Sequence, residues 1–172
     1  MGRVDPNKGA HELAAFFATY KARRPGPLAL VIAGDPVQPV PAHPDIFQPG
    51  VVDPRVKHGL YRGAQVVIVP SFFESFSMVL TEAWAHGRAT LVQGRSPVLA
   101  GQVERSGGGL AYRGYAEFET ALDLLRARPD VMSALGEKGR AFTATNYLWP
   151  AVLRRYEALL EDVVGRGRRS VA

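Results

Sequence analysis

Five short apolar runs, separated by helical patterns, set the strongest limit on what this chain can fold into. LALVIAG (28–34), QVVIVPS (65–71), ATLVQ (89–93) and GGLAY (108–112) are apolar without alternation. DIFQPGVV (45–52) is a weaker run, interrupted by Pro49. A strand with one wet face alternates, whereas a continuous apolar strand is buried on both faces. Between the runs, Leu13, Phe16, Phe17 and Tyr20 fall at i, i+3, i+4 and i+7, one face of a helix. PRVKHGLYRGA (54–64) is a short helix, and SMVLTEAWAHG (77–87) is another with Gly87 as its C-terminal stop. Ser96 can cap a helix that Pro97 opens. Phe118, Ala121, Leu122 and Leu125 mark a further apolar face; Val152, Tyr156, Leu159, Leu160 and Val163 mark the last. The pattern predicts an α/β, Rossmann-like three-layer domain: a parallel sheet flanked by helices, with right-handed crossovers. Ligands of such sheets bind beyond the carboxyl ends of the strands.

The opening stretch GRVDPNKG reads as a loop that runs into a helix. In this topology a strand leads into such a loop and lies near the middle of the sheet. The expectation is therefore a fragment or shortened chain that lacks its first strand. Residues 1–165 are expected to form one domain and 166–172 a basic, disordered tail.

Composition excludes several classes. At 172 residues, folding should bury roughly 70% of the unfolded chain's surface, enough for a real core. The absence of cysteine excludes disulfides, thiolate metal sites and a cysteine nucleophile. No apolar run approaches the ~18 residues of a membrane span, and the N-terminus carries no apolar signal core, so the expected location is cytoplasmic. The net charge is +5, with a basic cluster in GRGRRS (165–170). That cluster reads as a solvated end; its alternative is peripheral contact with an anionic membrane face. Elsewhere the charges are mixed and no nucleic-acid-binding motif occurs, so no nucleic-acid partner is expected. His11, His43, His58 and His86 show no zinc spacing, and no metal or cofactor is expected. Trp84 and the aromatic helix faces read as core.

Two stretches carry the chemistry. In GRVDPNKG, Arg3 and Lys8 bracket a turn and Gly9 opens a helix, whose free N–H groups favour an anion. Read alone, this is an exposed turn with two solvated cations. In PSFFESFSMVLTEAWAHG (70–87), Glu74 follows the end of a strand and Glu82 lies on the next helix. Ionised carboxylates only accept hydrogen bonds, so they suit a ligand rich in hydroxyls. Two of them flanking a helix N-terminus fit hydroxyls on either side of a phosphate. The alternative is structural: Glu74 caps the helix and Glu82 pairs with an arginine.

Taken together, the stretches resemble the C-terminal, donor-binding domain of retaining glycosyltransferases with the GT-B fold, most closely glycosyltransferase family 4. GRVDPNKG is similar to the family's glycine-arginine start with lysine-glycine five residues on, and PSFFESFSMVLTEAWAHGRATLV to its Glu-x7-Glu block. GRSPVLAGQVERSGGGLAY and NYLWPAVLRRYEALL resemble a downstream block and the closing helix. The resemblance implies one half of a GT-B fold and a nucleotide-sugar substrate such as a UDP- or GDP-sugar. It implies that Arg3 and Lys8 bind the donor diphosphate and stabilise charge on the leaving group, and that Glu74 binds hydroxyls of the transferred sugar. It further implies that Ser75 and the amides of Phe76, Ser77, Met78 and Val79 contact sugar and phosphate, and that Glu82 binds the ribose. The acceptor-binding N-terminal domain would be the missing partner, and the fragment alone would be inactive. Ser77 stands where many members have Gly, a mild change by size; Ala89 replaces a common Pro, and Pro97 a common polar residue. Two rival readings remain at this level: a non-catalytic nucleotide-binding or regulatory module, and a basic interaction protein acting through its tail.

Overall fold

The computed structural model describes residues 6–169, with side chains over 7–164. A 3-10 turn, Pro6–Lys8, leads into α1 (Ala10–Arg23), β1 (Leu30–Ala33), β2 (Ile46–Gly50) and α2 (Pro54–Gly63). Then come β3 (Val66–Val69), α3 (Met78–Ala85), β4 (Ala89–Gln93), α4 (Pro97–Ser106) and β5 (Gly109–Tyr112). Three helices close the order: α5 (Tyr115–Ala127), α6 (Pro129–Asn146) and α7 (Trp149–Arg169). Every strand pairing is parallel. Pro49 lies inside β2, which pairs on one side only and so has a free edge to receive a residue without an N–H.

Local chemistry explains the boundaries. The Asp53 side chain accepts from Arg55 N–H at 2.7 Å, and Pro54 opens α2. Pro97 opens α4 as its lack of an N–H allows, but Ser96 makes no capping bond, and its buried hydroxyl has no partner. Helix α3 stops where Gly87 turns to φ 66° and donates to the Trp84 carbonyl at 2.8 Å.

The sheet is in two parts, β2–β1 and β3–β4–β5. All five residues of β4 are buried, as its continuous apolar run requires. β1 and β3 carry the same kind of run, yet Val31 is 45% exposed and Val66, Val67 and Ile68 are only half-buried. These two strands are edges facing one another across a cleft of about 1240 Å³.

Trp84 is the largest fully buried side chain. Its indole N–H reaches the Gly108 carbonyl at 2.9 Å and Thr90 Oγ1 at 3.2 Å. Helix α6 packs on this ring through glycine: a Cβ on Gly139 would run into Trp84, and one on Gly136 would overlap the Gly87 carbonyl oxygen. The sequence reading assigned no helix here, because the buried face of α6 is Gly136, Gly139 and Thr143 rather than a stripe of large apolar residues. The last helix forms where its periodicity predicts, but Tyr156, Leu159, Leu160 and Val163 are exposed, so that face is not core in this chain. Helical backbone continues to Arg169, which draws residues 166–169 of the expected disordered tail into α7.

Candidate functional site

The carboxyl ends of β3 and β4 converge on the loops at 70–77 and 94–96. The turn before α1 is tied to the first of these. Phe72 N–H donates to the Asn7 carbonyl at 3.2 Å. Gly9 adopts φ 68°, and a Cβ there would overlap the Pro70 carbonyl oxygen. That close approach needs glycine, and it carries Lys8 to the end of β3. The Lys8 ammonium meets Glu74 Oε1 at 3.0 Å. Glu74 is the less exposed partner, at 14% against 38%. Two of the residues singled out in the sequence, 66 positions apart, are thus brought into contact. Arg3 lies outside the described residues.

A hollow of about 360 Å³ opens beside the pair, lined by Lys8, Glu74 and Ser75 on one side and Ser96 and Pro97 on the other. The Ser96 hydroxyl, read as a cap, is instead buried on this wall without a partner. The larger cleft between β1 and β3 opens onto the same edge, where Lys8, Glu74 and the 75–79 segment line it.

Ser77 precedes α3 with φ 70° and ψ 84°, and among the described residues it is the one non-glycine at positive φ. Its hydroxyl is buried and unpartnered. The size argument that made Ser for Gly a mild change therefore fails: the backbone conformation, not the volume, distinguishes the two residues here. Glu74 does not cap α3, which has no side-chain cap bond. The Phe76 carbonyl is held by Gln102 Nε2 at 3.0 Å, and Tyr147 O–H donates to Gln102 Oε1 at 2.9 Å. Phe76 also packs edge-on to the Tyr147 ring at 5.0 Å. The sequence reading missed both supports, because they come from α4 and the end of α6. Met78 is 69% exposed at the first turn of α3, while Val79 packs inward against Val69, Leu80 and their neighbours.

Glu82 is held from α2. Lys57 Nζ lies 2.6 Å from its Oε1, and Tyr61 O–H donates to its Oε2 at 2.8 Å. The expected arginine partner is a lysine and a phenol. Burial, reinforced by the hydrogen bond to Glu82, pushes the Tyr61 phenol far above its ordinary value. His86 lies stacked on Tyr61, centroids 5.0 Å apart. Its Nδ1 lies 2.8 Å from the Glu82 carbonyl, to which it donates, and its Nε2 lies 3.0 Å from His58 Nδ1. His86 thus serves the C-terminal end of α3, as its position suggests. Each oxygen of Glu82 keeps a lone-pair direction for a further donor. Among the described residues no group of three or more His, Asp or Glu side chains is placed to hold a metal.

A cation–carboxylate pair thus sits at the carboxyl edge of a parallel α/β domain, ahead of the N-terminus of α3. Comparison with known proteins gives the family. Residues 1–122 match the family described as glycosyl transferases group 1, and the chain belongs to it. A D-inositol 3-phosphate glycosyltransferase of Corynebacterium kroppenstedtii is 27% identical over 184 residues, covering 97% of this chain and 40% of that relative. The fold matches the C-terminal domain of a group 1 glycosyl transferase, LpcC of Francisella tularensis, with TM-score 0.69 and 18% identity over 87% of this chain and 84% of that one. It also matches HepE of Anabaena, solved with UDP-glucose, with TM-score 0.74 and 14% identity over 94% of this chain and 48% of the other. The chain thus spans less than half the length of that curated relative.

Proposed function

We propose that this chain is the donor-binding half of a retaining, family 4 glycosyltransferase of GT-B architecture, which transfers a sugar from a nucleotide sugar such as a UDP- or GDP-sugar. The Lys8–Glu74 pair at the carboxyl edge of β3 carries this reading. It supports the reading because an ammonium, suited to a diphosphate, and a carboxylate, suited to sugar hydroxyls, lie 3.0 Å apart. Lys8, with Arg3, binds the diphosphate and stabilises the charge that builds on it as the glycosidic bond breaks. Glu74 then exchanges its bond from Lys8 for sugar hydroxyls. The 75–79 backbone contacts sugar and phosphate, and the Ser77 hydroxyl gains there the partner it otherwise lacks. Glu82, steadied by Lys57 and Tyr61, accepts from the ribose.

The acceptor site belongs to a separate N-terminal domain, and residues 1–165 by themselves bind donor without transferring it. No metal takes part. The parent protein works in the cytoplasm, and peripheral contact of the GRGRRS segment with an anionic membrane face is the alternative to a solvated end. The test is thermal unfolding with UDP, GDP and ADP, on the parent chain and on Lys8→Ala and Glu82→Ala. A ligand at about 100 times its dissociation constant adds roughly 2.7 kcal/mol. A rise with one nucleotide, lost in both variants, is expected. A cooperative melt that no nucleotide moves would refute the donor site, and turnover by the chain alone would refute its dependence on a second domain.

A further inference from the structure

His58 on α2 and His86 at the end of α3 are 28 positions apart, and the fold brings their rings together. His58 Nδ1 lies 3.0 Å from His86 Nε2, with ring centroids 5.1 Å apart. The donor-site reading uses neither ring. No local spacing in the sequence marks the pair, because its members come from different helices.

His86 is held in the manner of a metal-ligating histidine. Its Nδ1 donates to the Glu82 carbonyl, and its ring lies stacked on the buried Tyr61. A carbonyl only accepts, so the neutral ring keeps its proton at Nδ1 and offers a lone pair at Nε2. Ligating imidazoles almost always donate their other nitrogen in this way, which fixes the tautomer and the ring. His58 supplies a second nitrogen. Two nitrogens, each about 2.0–2.1 Å from one ion and 3.0 Å from each other, subtend roughly 90–97° at it. That is close to the right angle of a tetragonal site, whereas a tetrahedral one needs about 3.3 Å between them. His58 is exposed, so its ring can turn until both lone pairs meet at the ion. Among the charged groups around the pair, Lys57 is matched by Glu82, and Arg140 of α6, beside Gly87, is matched by Glu137.

We propose that His58 and His86 form a site for a divalent transition-metal ion that favours nitrogen ligands, Cu²⁺ or Ni²⁺ ahead of Zn²⁺, with water at the remaining positions. The ion takes the place of the hydrogen bond between the rings and ties α2 to the end of α3. These are the two helices that hold Glu82, one through Lys57 and Tyr61 and the other through its own backbone. Occupancy therefore steadies the frame of that carboxylate. The site is separate from the Lys8–Glu74 pair and takes no part in sugar transfer.

The experiment titrates the 172-residue chain, prepared without a histidine tag, and its His58→Ala variant with Cu²⁺ and with Ni²⁺. Imidazole NMR resonances, calorimetric affinity and thermal unfolding are followed. Substoichiometric Cu²⁺ should broaden the His58 and His86 resonances before those of His11 and His43. Saturating Ni²⁺ should raise the melting temperature of the parent. His58→Ala removes an exposed side chain and leaves the core intact. It should weaken Ni²⁺ by at least about tenfold, because the remaining nitrogen loses the effective concentration of its neighbour. Equal affinity in parent and variant would overturn the proposal. So would broadening that begins at His11 or His43, or no response to either ion. Nucleotide is absent throughout, so these readouts stand apart from the donor-site test.

Discussion

Ser77→Gly should stabilise this protein. A left-handed backbone at an L-residue with a Cβ costs about 1–2 kcal/mol, and Ser77 holds φ 70°. A buried hydroxyl without a partner adds roughly 1 kcal/mol or more of lost hydration. Against these, glycine loses more freedom on folding, about 0.5–1 kcal/mol. The balance is a gain of about 1.5 kcal/mol, which for a chain of this size raises Tm by about 3–6 °C. Ser77→Ala separates the terms, since it removes the hydroxyl and keeps the strain. Thermal and urea unfolding of the three proteins should rank Gly above Ala and Ala above Ser. A glycine variant that melts below the parent would refute the reasoning, and glycine equal to alanine would refute the backbone part of it. The same variants should bind nucleotide more weakly than the parent if the hydroxyl meets phosphate, so that stability and affinity move in opposite directions.

The remaining predictions concern the supports of the site and the core. Tyr61→Phe removes the phenol's bond to Glu82 and should cost about 1.5–3 kcal/mol in urea unfolding. It should also weaken a ribonucleotide more than its 2′,3′-dideoxy counterpart; equal losses would sever Glu82 from the ribose. Gly139→Ala drives a methyl into Trp84, and overpacking of about 1–3 kcal/mol should exceed the roughly 1 kcal/mol gained in helix propensity. A more stable alanine variant would show that α6 does not pack as described. Burial raises the phenols of Tyr61 and Tyr112 above their unfolded value near 10, so only the unfolded state ionises just above that pH. Stability is whole below pH 10 and should fall above it, by up to about 1.4 kcal/mol per pH unit per tyrosine. Tyr61→Phe should flatten that fall, and a stability flat from pH 9 to 11 in the parent would contradict the buried phenols.

Much of the fold was legible because its elements declare themselves locally. β4 occupies the residues its apolar run marks, 89–93, and α2 begins at the proline after Asp53. The carboxylate pair was legible too: a strand that ends in Pro-Ser puts Glu74 at its carboxyl edge, and Glu82 follows on the next helix. What failed had other causes. α6 has no apolar stripe, because its buried face is shaped to the flat ring of Trp84, 55 positions away. Two glycines three apart, after a proline that can open a helix, were the available signal. Ser77 was judged by its size, whereas φ is set by how the loop enters α3.

By itself, then, the sequence determined the order of the strands and of every helix but α6, the parallel sheet and the positions of Lys8, Glu74 and Glu82 along it. Periodicity and end signals act over a few residues and need no knowledge of the rest. Only the tertiary structure decided which partners those groups have. Lys8 reaches Glu74 across 66 positions, and Glu82 is held by Lys57 and Tyr61 from a different helix. Only the tertiary structure, again, showed β1 and β3 as facing edges, though they are as apolar as the buried β4. An apolar run states that a strand should be covered. Whether anything covers it depends on pairing between segments far apart in the chain, which no local pattern records.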